Sequence, residues 1–378
     1  MINVFQPCLG EEELEAVREV FESNWLGYGA RAKGFEAEFA AHAGVAPQHM
    51  LFLNSGTAGL FLATELLGLG PQDDVVLPSI SFVAAGNAVA ATGARTVFCD
   101  VDPRTLNPSV RDVERAVTPR TKAVLVLHYG GHPGDIAAIA AFCRERGIVL
   151  IEDAACAVGS RVDGKACGTF GDLAMWSFDA MKVLVTGDGG MLYARDEELA
   201  RRARRLAYHG LEQATGFSAA KVSDRWWELN VRDFGRRLIG NDMTGAIGSV
   251  QLRGLGRAIR RRQEIADQYD RLLGDLPGIT LPPPLPAGHT SSYYFYWVQL
   301  DPRIRDAVAA DLLARGVYTT FRYPPLHKVP AFRAGGVLPA TDEVSENTLL
   351  LPLHHGLDDS DVKTVADELT RLVEHHGP

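Results

Sequence analysis

Residues 123–153 read AVLVLHYGGHPGDIAAIAAFCRERGIVLIED, and this stretch indicates the fold of the chain around it. Two mainly aliphatic runs, 123–127 and 149–152, flank a segment with helical periodicity over 135–147. Gly147 stands where such a helix would end. Strands that are apolar throughout are typical of a parallel sheet buried on both faces. The stretch therefore predicts a strand, a crossover helix and a second, parallel strand.

The same alternation extends in both directions, from residue 50 to residue 195. Further short apolar runs predict strands at 50–53, 75–78, 96–101, 174–178 and 191–193. The stretch 57–70 has the pattern of a helix. We therefore expect an α/β fold with a large, mostly parallel sheet and helices on both faces.

The length of 378 residues exceeds what one hydrophobic core usually serves. After the sheet region, the sequence predicts a long amphipathic helix at 245–274, a proline-rich break at 276–289, strands at 293–300 and 317–322, and helices at 303–315 and 359–375. We expect a large domain over residues 1–250 and a smaller α+β domain over residues 251–378.

The composition argues against several classes of protein. A net charge of −9 is unfavourable for a nucleic-acid-binding protein, and no apolar run is long enough to span a membrane. The first residues turn acidic, so we expect no signal peptide. The five cysteines are scattered without a CxxC pair, which predicts neither a disulfide framework nor a metal site. We expect a cytoplasmic protein that binds neither nucleic acid nor membrane.

Two polar features follow predicted strands. In LNSGTAGL, residues 53–60, a strand ends and a helix begins, so the free N–H groups could bind phosphate; an ordinary N-cap by Ser55 or Thr57 is the alternative. In VLIEDAACAVGS, residues 149–160, an apolar strand ends in Glu152 and Asp153. Ligands bind beyond such strand ends in open α/β sheets, although the carboxylates could equally cap the next segment.

A lysine and an aromatic residue add to this pattern. Lys182 lies among apolar residues in SFDAMKVLVTGDGG, residues 177–190. A lysine whose pKa is lowered by burial can form a Schiff base with an aldehyde, whereas an ordinary lysine would extend its ammonium into water. Phe82 follows another strand and could stack on a flat ring or belong to the core. A phosphate site, a strand-end carboxylate and a buried lysine, in this order, are what pyridoxal 5′-phosphate (PLP) requires.

With these motifs, the chain resembles the DegT/DnrJ/EryC1/StrS sugar aminotransferases, which have the type I fold of aspartate aminotransferase. The resemblance covers nearly the whole chain and includes NSGTAGL (54–60), IEDAACAVGS (151–160), SFDAMKVLVTGDGG (177–190), IGNDMTGAIGSVQL (239–252) and FRYPPLHKVPAF (321–332). It implies a PLP-dependent transaminase that cycles through pyridoxamine 5′-phosphate, in the biosynthesis of deoxyaminosugars and antibiotics.

The resemblance implies a role for each residue near the cofactor ring. Lys182 would hold the cofactor aldehyde and shuttle a proton, Asp153 would pair with the pyridinium nitrogen, and Phe82 would stack on the ring. Relatives that remove a hydroxyl carry histidine in place of the lysine, so Lys182 favours transamination. Cys156 replaces a glutamine that the family often places near the ring oxygen, and a thiol is a weaker donor.

The same resemblance implies how the cofactor phosphate is bound. Gly56, Thr57 and Ser177 would hold it within one subunit. Asn241 would reach the phosphate of the neighbouring subunit's cofactor, so that a homodimer would share its active sites.

The family acts on nucleotide-linked keto sugars or keto cyclitols, and this chain looks most like enzymes that aminate dTDP-4-keto-6-deoxy-D-glucose with L-glutamate as donor. Cationic side chains near the cavity mouth would bind the diphosphate. The candidates are Lys221, Arg232, Arg236 and Arg237, with Tyr323 and His327 lining the sugar pocket. The segment that carries these cations, residues 212–240, could instead be a dimer contact.

Three alternatives stay open. A 3-keto sugar aminotransferase and a keto-cyclitol aminotransferase would share every cofactor residue. A PLP-binding regulator without activity would be expected to lose Lys182 or Asp153, and both are present. A nicotinamide-dependent oxidoreductase would require GxGxxG after the first strand, which LNSGTAGL does not provide.

Overall fold

The computed structural model describes residues 1–211, 225, 227–332 and 336–377. Its twelve strands, in chain order, are β1 (Met50–Leu53), β2 (Asp74–Pro78), β3 (Arg95–Cys99), β4 (Thr121–Leu127), β5 (Val149–Asp153), β6 (Arg161–Val162), β7 (Lys165–Ala166), β8 (Leu173–Ser177), β9 (Gly190–Ala194), β10 (His289–Thr290), β11 (Tyr296–Gln299) and β12 (Thr348–Leu351). The helices described are α1 (Glu11–Glu22), α2 (Ala30–Ala43), α3 (Gly56–Leu66), α4 (Val83–Ala90), α5 (Val110–Ala116), α6 (Ile136–Arg146), α7 (Glu197–Ala207), α8 (Asp242–Leu273), α9 (Pro302–Ala314), α10 (Pro339–Asn347) and α11 (Asp359–His376).

The main sheet has seven strands in the order β1-β9-β8-β5-β4-β2-β3. Strands β8, β5, β4, β2 and β3 are parallel, and β9 is antiparallel to both of its neighbours. All seven predicted strands of this region are present, with ends shifted by at most two residues. The prediction of a mostly parallel α/β sheet is confirmed.

Strand β4 shows why these strands are apolar throughout. Its Ala123 and Leu125 side chains pack in the core cluster that contains α3 and α4, whereas Val124 and Val126 pack with residues of α6. Successive side chains of a strand point to opposite faces, so a strand covered on both sides needs apolar residues at every position. Helix α6 ends at Gly147, whose φ of 65° is left-handed, as predicted.

The C-terminal part of the chain packs around a smaller antiparallel pair of strands, β11 and β12. Residues of α9, α11 and the second half of α8 fill its core. Strand β12 was not predicted, and the predicted strand at 317–322 is wrong. That segment makes only single bridges, Val317 to Ile2 and Thr320 to Leu350, before it turns towards the main sheet.

Helix α8 connects the two parts of the structure. It runs unbroken through position 250, where we propose the domain boundary. Its first half packs against α2: a Cβ at Gly245 would lie 2.8 Å from Ala32 Cα, and one at Gly248 would lie 2.7 Å from Phe35 Cζ. In the described part of the chain, no helix is both long and apolar enough to cross a membrane.

The contact between α8 and α2 leads to a stability prediction. Phe35 is fully buried among Phe39, Phe52 and Phe178, so its ring has little room to move away from a new methyl group. Gly248→Ala should lower the free energy of unfolding by about 1–3 kcal/mol, measured by urea titration. In the matched control Gly34→Ala, within α2, the Cβ would meet nothing within 4 Å, and stability should rise by about 0.4–1 kcal/mol. Equal effects of the two changes would contradict the tight contact.

Candidate active site

A cavity enclosing about 760 Å³, part of it open to solvent, lies at the carboxyl ends of β4, β5 and β8. This is the edge of a parallel sheet at which ligands usually bind. Seven of the fourteen residues predicted for the site line it, namely Gly56, Thr57, Phe82, Asp153, Ser177, Lys182 and Tyr323. The fold thus brings together residues that are up to 267 positions apart in the sequence (Gly56 to Tyr323, 323 − 56).

The N-terminus of α3 forms one wall of the cavity. Ser55 is the N-cap, and its Oγ accepts the Ala58 N–H at 3.1 Å, so the N-cap interpretation of this motif is confirmed. The first backbone N–H groups of any helix lack intrahelical partners, and this cap satisfies only that of Ala58. The helix dipole favours an anion at the remaining N–H groups. A Cβ on Gly56 would lie 2.8 Å from Ser177 Cβ, so only glycine lets β8 deliver Ser177 to this helix end. Capping and anion binding are therefore compatible.

Asp153 ends β5 and is 1% exposed. Its Oδ1 accepts the Ala155 N–H at 3.1 Å. Burial raises the pKa of Asp153, and the Ala155 hydrogen bond and the charge of Lys182 only partly oppose this rise. A protonated heterocyclic nitrogen beside this buried carboxylate would favour its ionised form, because an opposite charge offsets the cost of burial.

The adjacent carboxylate, Glu152, faces away from the cavity, because neighbouring side chains of a strand point to opposite faces. It accepts the N–H groups of Gly168 at 2.7 Å and Gly171 at 2.6 Å, and pairs with His128 Nε2 at 2.8 Å. Both side chains are fully buried. Burial lowers the pKa of His128, but Cys167 and Glu152 raise it well above its usual value overall. Glu152 therefore braces the strand, and Asp153 is the carboxylate available to a ligand.

Lys182 Nζ lies 4.6 Å from the centroid of the Tyr294 ring. The expectation of a lowered pKa is wrong for this arrangement. Burial alone lowers the pKa of Lys182, but Tyr294, Cys156 and Asp153 raise it, and the net shift is upward. Lys182 is therefore oriented by an aromatic face and by a buried carboxylate.

The two aromatic residues predicted for the site are neighbours. The Phe82 and Tyr323 ring centroids are 5.5 Å apart. Phe82 precedes α4 and is 46% exposed, so it is not a core aromatic residue and its ring is accessible to a flat ligand.

Cys156 lies close to the cavity but does not line it. Its side chain is 1% exposed, and its backbone carbonyl accepts the Ser292 hydroxyl at 2.5 Å. Burial raises the pKa of Cys156 to about 11, so the thiol is protonated at neutral pH. The residue can therefore act only as a weak, neutral donor.

Several predicted site residues lie elsewhere in the described chain. Asn241 is the N-cap of α8, and its Oδ1 accepts the Thr244 N–H at 3.0 Å. His327 Nδ1 pairs with Ser79 Oγ at 2.7 Å, which explains its conformation without a ligand.

None of the three predicted arginines lines this cavity. Arg236 pairs with Glu65, the Arg237 guanidinium lies 5.7 Å from the Tyr208 ring centroid, and the Arg232 N–H donates to Gly210 O at 2.9 Å. Lys221 falls outside the described residues. A diphosphate-binding role for these side chains stays a prediction.

The sequence did not single out Asp179, Tyr294 or Arg322, which also line the cavity. Asp179 could have been found, because it lies two residues after Ser177 in the same motif. Tyr294 and Arg322 lie in segments that were read as strands, and nothing in their local sequence indicates that they face a ligand.

Comparisons with known proteins agree with this geometry. The DegT/DnrJ/EryC1/StrS aminotransferase family matches residues 7–370. The chain is 68% identical, over 100% of its length and 98% of the relative, to a dTDP-4-dehydro-2,3,6-trideoxy-D-glucose 4-aminotransferase of Saccharopolyspora spinosa. Among solved structures, the aminotransferase TlmJ of Streptoalloteichus hindustanus has a TM-score of 0.95 and 60% identity, with 99% of each chain covered. The sugar aminotransferase CalS13 of Micromonospora echinospora has a TM-score of 0.89 and 28% identity, with 98% of this chain and 100% of that chain covered.

The cofactor of this family is PLP, and the cavity fits it. Glycines make room at the anion-binding end, where a Cβ on Gly190 would lie 2.6 Å from Gly56 N. A raised-pKa carboxylate and a lysine line the same cavity. These are the groups that a phosphate, a pyridine nitrogen and an aldehyde require.

The close approach of α3 and β8 generates a prediction about cofactor binding. In Gly56→Ala, the new methyl group would collide with Ser177 and push the helix end away from the phosphate site. The dissociation constant for PLP, measured by titrating apoprotein, should rise about 10-fold or more, corresponding to the loss of about one charge-assisted hydrogen bond. Gly70→Ala is the matched control, since a Cβ there meets nothing within 4 Å. Unchanged affinity in Gly56→Ala would remove α3 from the phosphate site.

Proposed function

The chain belongs to the DegT/DnrJ/EryC1/StrS aminotransferase family and is a PLP-dependent sugar aminotransferase, and from that premise we propose its two substrates. The acceptor is dTDP-4-keto-6-deoxy-D-glucose, which becomes the 4-amino-4,6-dideoxy sugar, and the amino donor is L-glutamate. The observation that carries this proposal is the placement of Lys182, Asp153 and the α3 N-terminus in one cavity, in a chain that is 68% identical to a dTDP-sugar 4-aminotransferase.

Each of these cavity residues would have a separate role in transamination. PLP, when bound, supplies an electron sink for the carbon that carries the transferred amine. The α3 N-terminus and Ser177 would anchor its phosphate, and Asp153 would hold a proton at the pyridine nitrogen. Phe82 would fix the plane of the ring. Lys182 Nζ would move a proton between the substrate carbon and the 4′ carbon of the cofactor in each half-reaction.

A second acceptor is supported by a specific observation. The Saccharopolyspora spinosa relative is a 4-aminotransferase of a 2,3,6-trideoxy sugar, which has no hydroxyl at C2 or C3. The cavity lining includes the apolar or aromatic side chains Phe82, Met181 and Tyr323. Such a wall suits carbons without hydroxyl groups. No comparable observation favours a 3-keto sugar or a keto cyclitol.

We also propose that the working unit is a homodimer with shared active sites, in the cytoplasm. Large apolar side chains are exposed near the N-terminus and before α8, including Leu14, Phe21, Trp25, Leu26 and Phe234. Phe234 is 99% exposed. Exposure of this kind is expected of a surface that a second copy covers. Asn241 lies seven residues after Phe234, which is consistent with its proposed reach into the neighbouring site.

The proposed substrates are tested by following the visible spectrum through two separate half-reactions. L-Glutamate should convert the pyridoxal form of the protein to the pyridoxamine form. Addition of dTDP-4-keto-6-deoxy-D-glucose should then restore the original absorbance. Restoration only by the 2,3-dideoxy analogue would favour the second acceptor, and restoration by neither would reject a 4-keto dTDP-sugar.

Lys182→Ala should abolish turnover, because no other described lysine lines the cavity. Single-turnover rates should fall by at least about 100-fold, as expected when a general base is lost. The control Lys165→Ala changes a lysine that packs on Phe170, 4.5 Å from the ring centroid, and should leave the rate unchanged. Turnover of Lys182→Ala at the parent rate would disprove the assigned role.

A further inference from the structure

Arg322 lines the cavity without a carboxylate partner. Its Nη2 lies 3.8 Å from Met181 Sδ, and its guanidinium lies 4.9 Å from the centroid of the Phe5 ring. The side chain is half-buried, and within the described residues it forms no ion pair. A partly desolvated guanidinium without a counter-ion is unfavourable unless an anion from a ligand completes the pair.

The acidic groups of the cavity do not supply that counter-ion. Asp153 Oδ1 accepts the Ala155 N–H at 3.1 Å, and Asp179 Oδ1 accepts the Met181 N–H at 3.0 Å. Asp188 also lines the cavity and is exposed to solvent. None of the three forms an ion pair with Arg322 in the described structure.

The protein holds Arg322 in place from two sides. Its backbone carbonyl accepts a hydrogen bond from the hydroxyl of buried Tyr129. Tyr129 follows β4, so this bond ties the Arg322 backbone to the main sheet. Phe5, from the N-terminal segment, presents its ring to the guanidinium and stacks on Tyr294 with centroids 5.5 Å apart and an angle of 16° between the planes. Tyr294 in turn contacts Lys182. The guanidinium is therefore fixed relative to the reacting lysine.

We propose that Arg322 binds the α-carboxylate of the amino donor, an assignment that rests on the proposed function. Arg322 contacts Met181, the residue next to Lys182. The α-carboxylate is bonded to the carbon that gives up its proton to the lysine, so it must lie near Lys182. The sugar diphosphate is attached at C1, across the ring from the C4 keto group, and lies farther from the reacting atoms. A planar guanidinium also matches the two oxygens of a carboxylate.

The test separates the two half-reactions in the PLP-loaded protein. In Arg322→Gln, the L-glutamate concentration that gives half the maximal rate of conversion to the pyridoxamine form should rise about 10- to 100-fold. The half-saturating concentration of the dTDP-keto sugar in the second half-reaction should change less than about 3-fold. Arg322→Lys should restore part of the glutamate affinity, since it retains the charge but not the two-pronged geometry.

Two further variants distinguish binding from general damage. Phe5→Leu should weaken glutamate binding by about 2- to 5-fold, the value of one exposed cation–π contact. Arg303→Gln, which removes an exposed charge paired with Asp301 on α9, should change neither half-reaction. The thermal unfolding temperature of each variant, compared with the parent, identifies a variant that fails to fold.

The outcomes separate this assignment from the proposed function. Unchanged saturation by glutamate in a folded Arg322→Gln variant would overturn it, and so would a loss confined to the sugar half-reaction, which would place Arg322 at the diphosphate. If the parent protein is not converted by L-glutamate but is converted by another α-amino acid, the proposed donor fails. The first half-reaction of the Arg322 variants is then measured with that amino acid, because every α-amino acid carries an α-carboxylate.

Discussion

The buried carboxylate of Glu152 is the constraint on which the active site depends. It accepts two backbone N–H groups, from Gly168 and Gly171, and pairs with His128. A charge removed from water is stable only when it is satisfied in this way, so these contacts fix the loop before β8 against β5. The same contacts hold the pairing of β5 with β8, whose ends carry Asp153 and Ser177. One residue that never faces the cavity thereby sets the distance between two residues that do.

Glycine completes this arrangement, because the backbones meet too closely for side chains. A Cβ on Gly171 would lie 2.6 Å from Leu150 O, and one on Gly190 would lie 2.6 Å from Gly56 N. The site thus combines a rigid, desolvated frame with an accessible mouth. Within that frame the charge of Lys182 is stabilised by Asp153, while burial keeps the Cys156 thiol protonated, with its pKa at about 11.

The sequence was sufficient wherever a local pattern determines the structure. Apolar strands covered on both faces, the helix that ends at Gly147, and the strand-end carboxylate could all be predicted, because each depends on a few neighbouring residues. The pKa of Lys182 could not be predicted, since Tyr294 contributes to it from 112 positions away (294 − 182). Segment 317–322 was wrongly read as a strand for a related reason: its contact with Tyr129 is tertiary and leaves no periodic pattern.

The segment before β11 explains how the smaller C-terminal part of the chain takes part in the site. Tyr294 N–H and Phe295 N–H both donate to Gly130 O, at 2.9 and 3.2 Å, and the Ser292 hydroxyl donates to Cys156 O. These bonds dock the segment on the loops that follow β4 and β5, where a Cβ on Gly130 would collide with Trp297. Docking places the Tyr294 ring next to Lys182, and Phe5 stacks on Tyr294 and contacts the Arg322 guanidinium. Because each contact in this series depends on the one before it, a shift of the segment would move the lysine's aromatic neighbour and the arginine together. The residues proposed to hold the cofactor follow strands of the main sheet, whereas Tyr294, Arg322 and Tyr323, which line the same cavity, come from the part docked on it.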